Sequence, residues 1–283
     1  MERTMEYTIM TESGAMITGQ ASANGCVRVV ESLKNAKLRS VKATVKLSIS
    51  DTTKIFHNGY QNWTYSPEYD KTGRTRGLKH LPSFLRGAFQ INCYGDYHFV
   101  DYPYKKGITH GESWCYFRDG DHWLLFGSLD EKPGYTLFQY DANAGVLTIE
   151  RDCAGVRVNG DFHAFDLYIG EGTEAEVFDG WFDAMGKKPL RTEPMVGYSS
   201  WYNRYQDIND STITDDLIGA KTLLKPGDLF QIDDGWEPFV GDWLTTDPKK
   251  FPNGLKASAD AIHEAGFLAG LWLAPFVAQK GSK

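Results

Sequence analysis

The stretch Leu229-Phe230-Gln231-Ile232-Asp233-Asp234-Gly235-Trp236 decides the fold of this 283-residue chain. A short apolar run that stops at two adjacent carboxylates and a glycine reads as a buried strand with polar chemistry at its C-terminal end. Working outward, Pro226-Gly227 breaks a helix on the N-terminal side. Thr212 can cap that helix, with Asp215 at the capping-box position. Ile213, Leu217, Ala220 and Leu224 form one apolar stripe along it. Before the helix, Met195–Tyr198 reads as a short strand. On the far side, Leu255–Ala265 reads as a helix ended by Gly266, and Phe267–Leu273 as a third strand. The order βαβαβ predicts a parallel sheet or barrel.

A closed eight-unit β/α barrel takes about 250 residues, far more than Pro194–Lys283 supplies. The reading is therefore the first three β/α units of an incomplete (β/α)8 TIM barrel, in an N-terminal fragment of something longer. The open edge of its third strand invites self-association.

The first half reads as β structure. Val41–Ile49, Trp123–Leu129, Thr136–Tyr140, Val146–Glu150 and Phe162–Ile169 are short alternating runs. Asn24-Gly25, Asp119-Gly120, Pro133-Gly134 and Asn159-Gly160 are turn signals between them. In Val41–Ile49 the residues Val41, Ala43, Val45, Leu47 and Ile49 share one face, the period of a strand buried on one side. The expectation is a β-sandwich. Val177–Met185 reads as a helix with Val177, Trp181 and Met185 on one face. Gly186-Lys187-Lys188-Pro189 ends it. The domains predicted are thus 1–188, a β-sandwich with a linker helix near its end, and 189–283, the partial barrel.

Composition excludes several classes. Lys+Arg 30 against Asp+Glu 37 gives a net charge of −7, which argues against nucleic acid and acidic membranes as partners. Residues 1–10 carry Glu2, Arg3 and Glu6 and no apolar core, so no secretory signal is read. No apolar run reaches the length of a membrane span. The expectation is a soluble, cytoplasmic chain. Cys26, Cys93, Cys115 and Cys153 lack metal or redox spacing and read as buried free thiols. The histidines, His98, His110, His122, His163 and His263 among them, show no i, i+4 pair, so no metal is expected. His263 lies on a helix face and reads as packing. No phosphate-binding glycine loop occurs.

The three strand ends agree with one another. The first is followed by Ser199-Ser200-Trp201-Tyr202, the second by Asp233-Asp234-Gly235-Trp236, and the third carries Trp272 before Pro275. Carboxylates accept bonds from sugar hydroxyls, and indole faces stack on pyranose C–H faces. Gln231–Trp236, Gly241-Asp242-Trp243, Lys250-Phe251-Pro252, Ile262-His263 with Gly266, and Gly270–Pro275 together resemble the α-galactosidases of glycoside hydrolase family 36. Gly197–Tyr202 resembles that family's first barrel strand, and Asn58–Trp63 a loop of its N-terminal sandwich.

The resemblance implies a β-supersandwich followed by a (β/α)8 barrel, and a retaining mechanism in which two carboxyl groups supply the chemistry, so that no cofactor is implied. It places the nucleophile on strand four and the acid/base on strand six, so no catalytic residue is assigned here. It implies that Asp233 and Asp234 bind galactose hydroxyls, that Trp272, Trp201 and Tyr202 line the pocket, and that Trp63 reaches in from the sandwich. The implied partner is a galactose-containing oligosaccharide of raffinose or melibiose type.

Other readings stand beside this one. Asp-Gly is a common turn signal, and adjacent strand residues face opposite ways unless the chain bends. Trp272 taken alone reads as core. Trp236 and Trp243 read as packing or rim, and Asp242 as structural. At the level of function, the alternatives are a non-catalytic carbohydrate-binding or interaction module, and a relative that transfers galactosyl groups or acts on N-acetylgalactosamine.

Overall fold

The computed structural model describes residues 3–60, 64–89, 102–132, 134–188 and 193–283. Trp63, Cys93, His98, Pro133 and Pro189, named above, lie outside the described residues. The chain divides into two compact units, Met1–Lys188 and Pro189–Lys283.

The first unit is mostly β-sheet. Its strands are β1 Thr4–Thr11, β2 Met16–Ser22, β3 Gly25–Lys46, β4 Lys54–His57, β5 Ile108–Glu112, β6 Trp114–Asp119, β7 His122–Ser128, β8 Thr136–Asp141, β9 Val146–Arg151 and β10 Arg157–Gly172. Two helices, α1 Ser83–Ala88 and α2 Glu174–Ala184, accompany them. The strands form one ten-stranded sheet in the order β4-β6-β7-β10-β3-β9-β8-β5, with β1 and β2 alongside β3. Every pairing in it is antiparallel.

The long strand β3 makes this arrangement a nearly closed, barrel-like wrap. Its first half, Gly25 to Lys37, pairs with β10, and its second half pairs with β1 and β9. The change of partner falls beside an irregularity where Val158 and Gly160 oppose Ala36 and Leu33. There Asn35 adopts a positive φ of 46°, and its amide donates to Asn159 Oδ1 at 3.3 Å. Lys34 and Asn35 of β3 thus bulge opposite Asn159, and Asn159-Gly160 runs on inside β10 and is not the turn expected from the dipeptide. Wrapping both halves of β3 round one interior buries Val27, Val29, Val41, Ala43 and Val45 with Phe126, Phe138, Tyr140 and Phe165.

Within that interior Arg151, 2 % exposed, donates to the carbonyls of Asp130, Gly134 and Ala164. Helix α2 starts at a capping box, with Thr173 accepting from the Glu176 amide and Glu176 reaching back to Thr173. It seats Val177 and Trp181 against Tyr116 and Leu125. The Trp181 indole donates to the Ser128 carbonyl at 3.0 Å. Cys115 and Cys153 are buried free thiols, whereas Cys26 is free but exposed.

The second unit holds a three-stranded parallel sheet, β11 Gly197–Ser199, β12 Leu229–Ile232 and β13 Leu268–Leu271, in that order. Helices α3 Trp201–Arg204 and α4 Asp210–Ala220 lie between the first two strands, and α5 Lys256–Glu264 between the last two. Ile213, Leu217 and Ala220 of α4 pack with Phe230, Ile232, Phe251 and Ile262 in one core, as the stripe predicts. The cap of α4 differs from expectation. Asn209 caps the helix, and Thr212 is the residue that reaches back to complete the box. His263 stands exposed in the last turn of α5 and is not a packing residue.

Among the described residues no helix is long and apolar enough to cross a membrane, and no group of three or more His, Cys, Asp or Glu could hold a metal ion.

Candidate functional site

The chemistry gathers at the C-terminal ends of β11, β12 and β13, where parallel sheets place their sites. β12 ends at Ile232, so Asp233 and Asp234 both lie past the strand. Gly235 then takes φ +108°, a region open to glycine. The chain bends here, which removes the objection that neighbours on a strand must face opposite ways. A Cβ on Gly235 would stand 2.6 Å from the Gln206 carbonyl oxygen, so this glycine is also what lets that segment approach.

The two carboxylates are buried and differently engaged, Asp233 being 7 % and Asp234 8 % exposed. Asp233 Oδ2 accepts from Ser199 Oγ at 2.9 Å and from Gln231 Nε2 at 2.7 Å. Its Oδ1 accepts from the Asp234 amide at 2.9 Å. The Asp233 amide in turn donates to Ser200 Oγ at 2.9 Å, and Ser200 is fully buried. Asp233 thus ties β11 to β12 and uses much of its accepting capacity on the protein. Asp234 Oδ2 accepts from Gln206 Nε2 at 2.7 Å. Lys250 holds that segment in place, its Nζ donating to the carbonyls of Gln206 at 2.7 Å and Gly235 at 2.9 Å.

An aromatic group sits beside the carboxylates. Trp236 is buried, and its indole donates to the Trp272 carbonyl at 3.1 Å. The Trp272 amide donates to the Ile232 carbonyl at 2.9 Å, which fixes it to the end of β12. Trp243 lies edge-on to Trp272 with ring centroids 5.9 Å apart, and 6.2 Å from Trp236. Trp236 and Trp243 therefore pack behind Trp272. Trp201 and Tyr202 sit on α3, a single turn held by Arg204, which pairs with Asp216 at 2.9 Å. Tyr198 donates to the same carboxylate at 2.7 Å. Trp201 is half-buried and edge-on to Tyr205 at 5.2 Å, while Tyr202 is 87 % exposed.

The structure therefore brings Asp233, Asp234 and Trp272 to one sheet end and places Trp201 on the adjoining turn. It leaves Tyr202 in solvent, and Trp63 lies outside the described residues. Ser199, Ser200, Gln206 and Lys250 hold the site and were given no role by sequence reasoning. A donor's role depends on which acceptor the fold brings to it, so their residue types carried no signal. Glu237, buried beside Asp234, was also missed.

Buried carboxylates beside indoles at a parallel-sheet end can accept from hydroxyl groups, and the indoles offer apolar ring faces. No family model matches the chain. In sequence it is similar to α-galactosidase Mel36A of Lactobacillus acidophilus, 37 % identical over 84 residues, 27 % of this chain and 11 % of that protein. It is similar to probable α-galactosidase B of Aspergillus clavatus, 33 % over 101 residues, 32 % of this chain and 21 % of that one. It also matches the A type blood α-D-galactosamine galactosaminidase of Flavonifractor plautii, 44 % over 64 residues, 21 % of this chain and 6 % of that one.

In fold it is similar to the α-galactosidase TtGalA of Thermus thermophilus, solved with p-nitrophenyl α-D-galactopyranoside. The TM-score is 0.59 at 24 % identity, covering 98 % of this chain and 50 % of that one. The α-galactosidase AgaA of Geobacillus stearothermophilus, of family 36, gives 0.52 at 13 % identity, covering 98 % and 46 %. The chain thus spans about half the length of these solved structures. The resemblance to family 36 α-galactosidases read from the motifs is borne out, in sequence over 21–32 % of the chain and in fold over 98 % of it.

Proposed function

We propose that these 283 residues are the N-terminal portion of a retaining α-galactosidase that releases terminal α-galactosyl groups from raffinose- or melibiose-type sugars. On this reading the parallel sheet is the first three units of a (β/α)8 barrel. Asp233 and Asp234 accept from galactose hydroxyls, and Trp272 and Trp201 offer apolar ring faces. The chain binds sugar without turning it over, because the nucleophile and acid/base belong to later strands. The observation that carries the proposal is the pair of buried carboxylates past β12, with Trp272 fixed to the same strand end. The match to the galactosaminidase keeps an N-acetylgalactosamine substrate as a second reading.

Calorimetric titration of the 283-residue chain tests this. A saturable isotherm with galactose, absent with mannose and lost in Asp234→Asn, is expected, with no release of p-nitrophenol from the α-galactoside. No heat of binding at millimolar galactose would overturn the reading. Tighter binding of N-acetylgalactosamine than of galactose would replace it with the second.

A further inference from the structure

The site leaves one buried carboxyl without a task. Glu237 follows Trp236 directly, is 5 % exposed, and neither Oε1 nor Oε2 meets a hydrogen-bond partner among the described residues. An ionised carboxylate stripped of water and of donors is costly, whereas a neutral acid in the same place is far less so. Burial holds the Glu237 carboxyl above the ordinary glutamate range, and the neighbouring Asp234 carboxylate raises it further. Lys250 is committed to two backbone carbonyls, and its neighbour Lys249 is exposed. Asp247, on the segment packed against Trp236, gives its amide to the Trp236 carbonyl.

Two ionised carboxylates cannot hydrogen-bond, so orphaned oxygens beside a carboxylate mark a place where a proton belongs. Its position within the pair follows from the donors. Asp234 already accepts from Gln206 Nε2 at 2.7 Å, so that carboxyl is committed to an accepting role. Glu237 accepts from no side-chain donor, and only the backbone amides of Gly235 and of Glu237 itself pull its carboxyl back toward the charged form. The proton therefore resides on Glu237.

We propose that Glu237 is a positioning residue of the sugar site: as a neutral acid it donates to Asp234 and fixes that carboxylate to accept from a sugar hydroxyl. The sugar half of this proposal rests on the galactoside reading above, but the pairing of the two carboxyls does not. With Gln206 on one side and Glu237 on the other, Asp234 keeps one orientation. Ionising Glu237 would set like charges side by side and release Asp234. Sugar affinity is then held at neutral pH and falls as Glu237 loses its proton at higher pH.

The test needs two measurements on the 283-residue chain. In carbon NMR of protein labelled at the glutamate carboxyls, the signal missing from Glu237→Gln is expected to titrate above the ordinary glutamate range. It should move down in Asp234→Asn. A midpoint in the ordinary range, or one indifferent to Asp234→Asn, overturns the pairing. In galactose titrations, Glu237→Gln, whose amide can still donate, is expected to keep affinity within about threefold and to lose the alkaline fall. Glu237→Ala should lose about tenfold or more. Equal losses in Gln and Ala overturn the positioning role. If the wild-type chain binds no galactose while its Glu237 signal behaves as expected, the galactoside reading fails and the carboxyl pair stands.

Discussion

Lowering the pH from 7 to 5 should destabilise the β unit through two buried histidines. His57 at the end of β4 and His110 in β5 are 3 % and 1 % exposed. His57 Nε2 shares a proton with Thr109 Oγ1 at 3.0 Å, and His110 Nδ1 with the Tyr60 hydroxyl at 2.7 Å. The Tyr102 ring stacks on His110 at 4.4 Å. His57 Nδ1 and His110 Nε2 have no partner among the described residues. Burial pushes both imidazoles down to about 3, and His110 adds to the effect on His57.

Because the folded values lie below the unfolded one, the stability these groups confer is present above pH 6.5 and is lost as pH falls toward 3. With an unfolded value of about 6.5, the loss between pH 7 and pH 5 is about 2 kcal/mol per histidine, about 4 together. The slope below pH 6 approaches about 2.7 kcal/mol per pH unit. Carboxylates held low by their partners, such as Glu68 beside Arg118 and Glu171 beside Arg3, are lost only at more acid pH. Glu131, which burial raises, works in the opposite sense.

Hydrogen exchange of β4 and β5 amides in the intact chain, corrected for intrinsic rates, reads this unit separately from the parallel sheet. His57→Gln with His110→Gln should flatten the slope whatever its absolute stability. A wild-type slope between pH 6 and 5 equal to that of the double variant would refute the reasoning. If the double variant does not fold, each single variant should remove about half of the slope.

Three further outcomes follow from the packing. Trp181→Ala empties the seat of α2 and removes the bond to the Ser128 carbonyl, so urea denaturation should show about 3–5 kcal/mol lost in the β unit. Asn209→Ala removes half of a capping box, and exchange of the first α4 amides should report about 1 kcal/mol. Gly235→Ala places a methyl against the Gln206 carbonyl at a φ of +108°. It should cost about 1–3 kcal/mol in strain and weaken galactose binding, while Gly219→Ala, where nothing lies within 4 Å, should leave binding unchanged.

Much of the fold was legible because apolar period and turn residues agree locally. Val41, Ala43 and Val45 alternate into the core, and Ile213, Leu217 and Ala220 line one helix face. The failures came where two local signals competed. Asn209 and Thr212 can each cap a helix, and the box closing one turn earlier won. Thr173 with Glu176 is the same kind of box, and it starts α2 before the expected Val177. Asn159-Gly160 has turn chemistry, but β3 holds both of its flanks and takes up the irregularity as a bulge at Lys34-Asn35, so β10 runs on through the dipeptide. His263 shared a helix with buried Ile262, yet one residue along a helix is a rotation of about 100°, enough to carry it into solvent.

At the site, the sequence showed two equal aspartates, and the fold makes them unequal. Asp233 accepts from Ser199, Gln231 and the next amide, and its own amide is held by Ser200. Those partners come from β11, β12 and the adjoining turn, so no spacing near Asp233 announces them. Replacing Asp233 would unpair partly buried donors on two strands, and its loss would read as misfolding as much as lost recognition. Asp234 accepts from Gln206, whose approach depends on Gly235 lacking a side chain. Asp234 is therefore the carboxylate with more capacity left for a ligand, and the one whose removal should silence binding while the sheet stays intact. The division follows from counting donors: adjacent residues of one type serve different ends when the strands around them satisfy one and leave the other open.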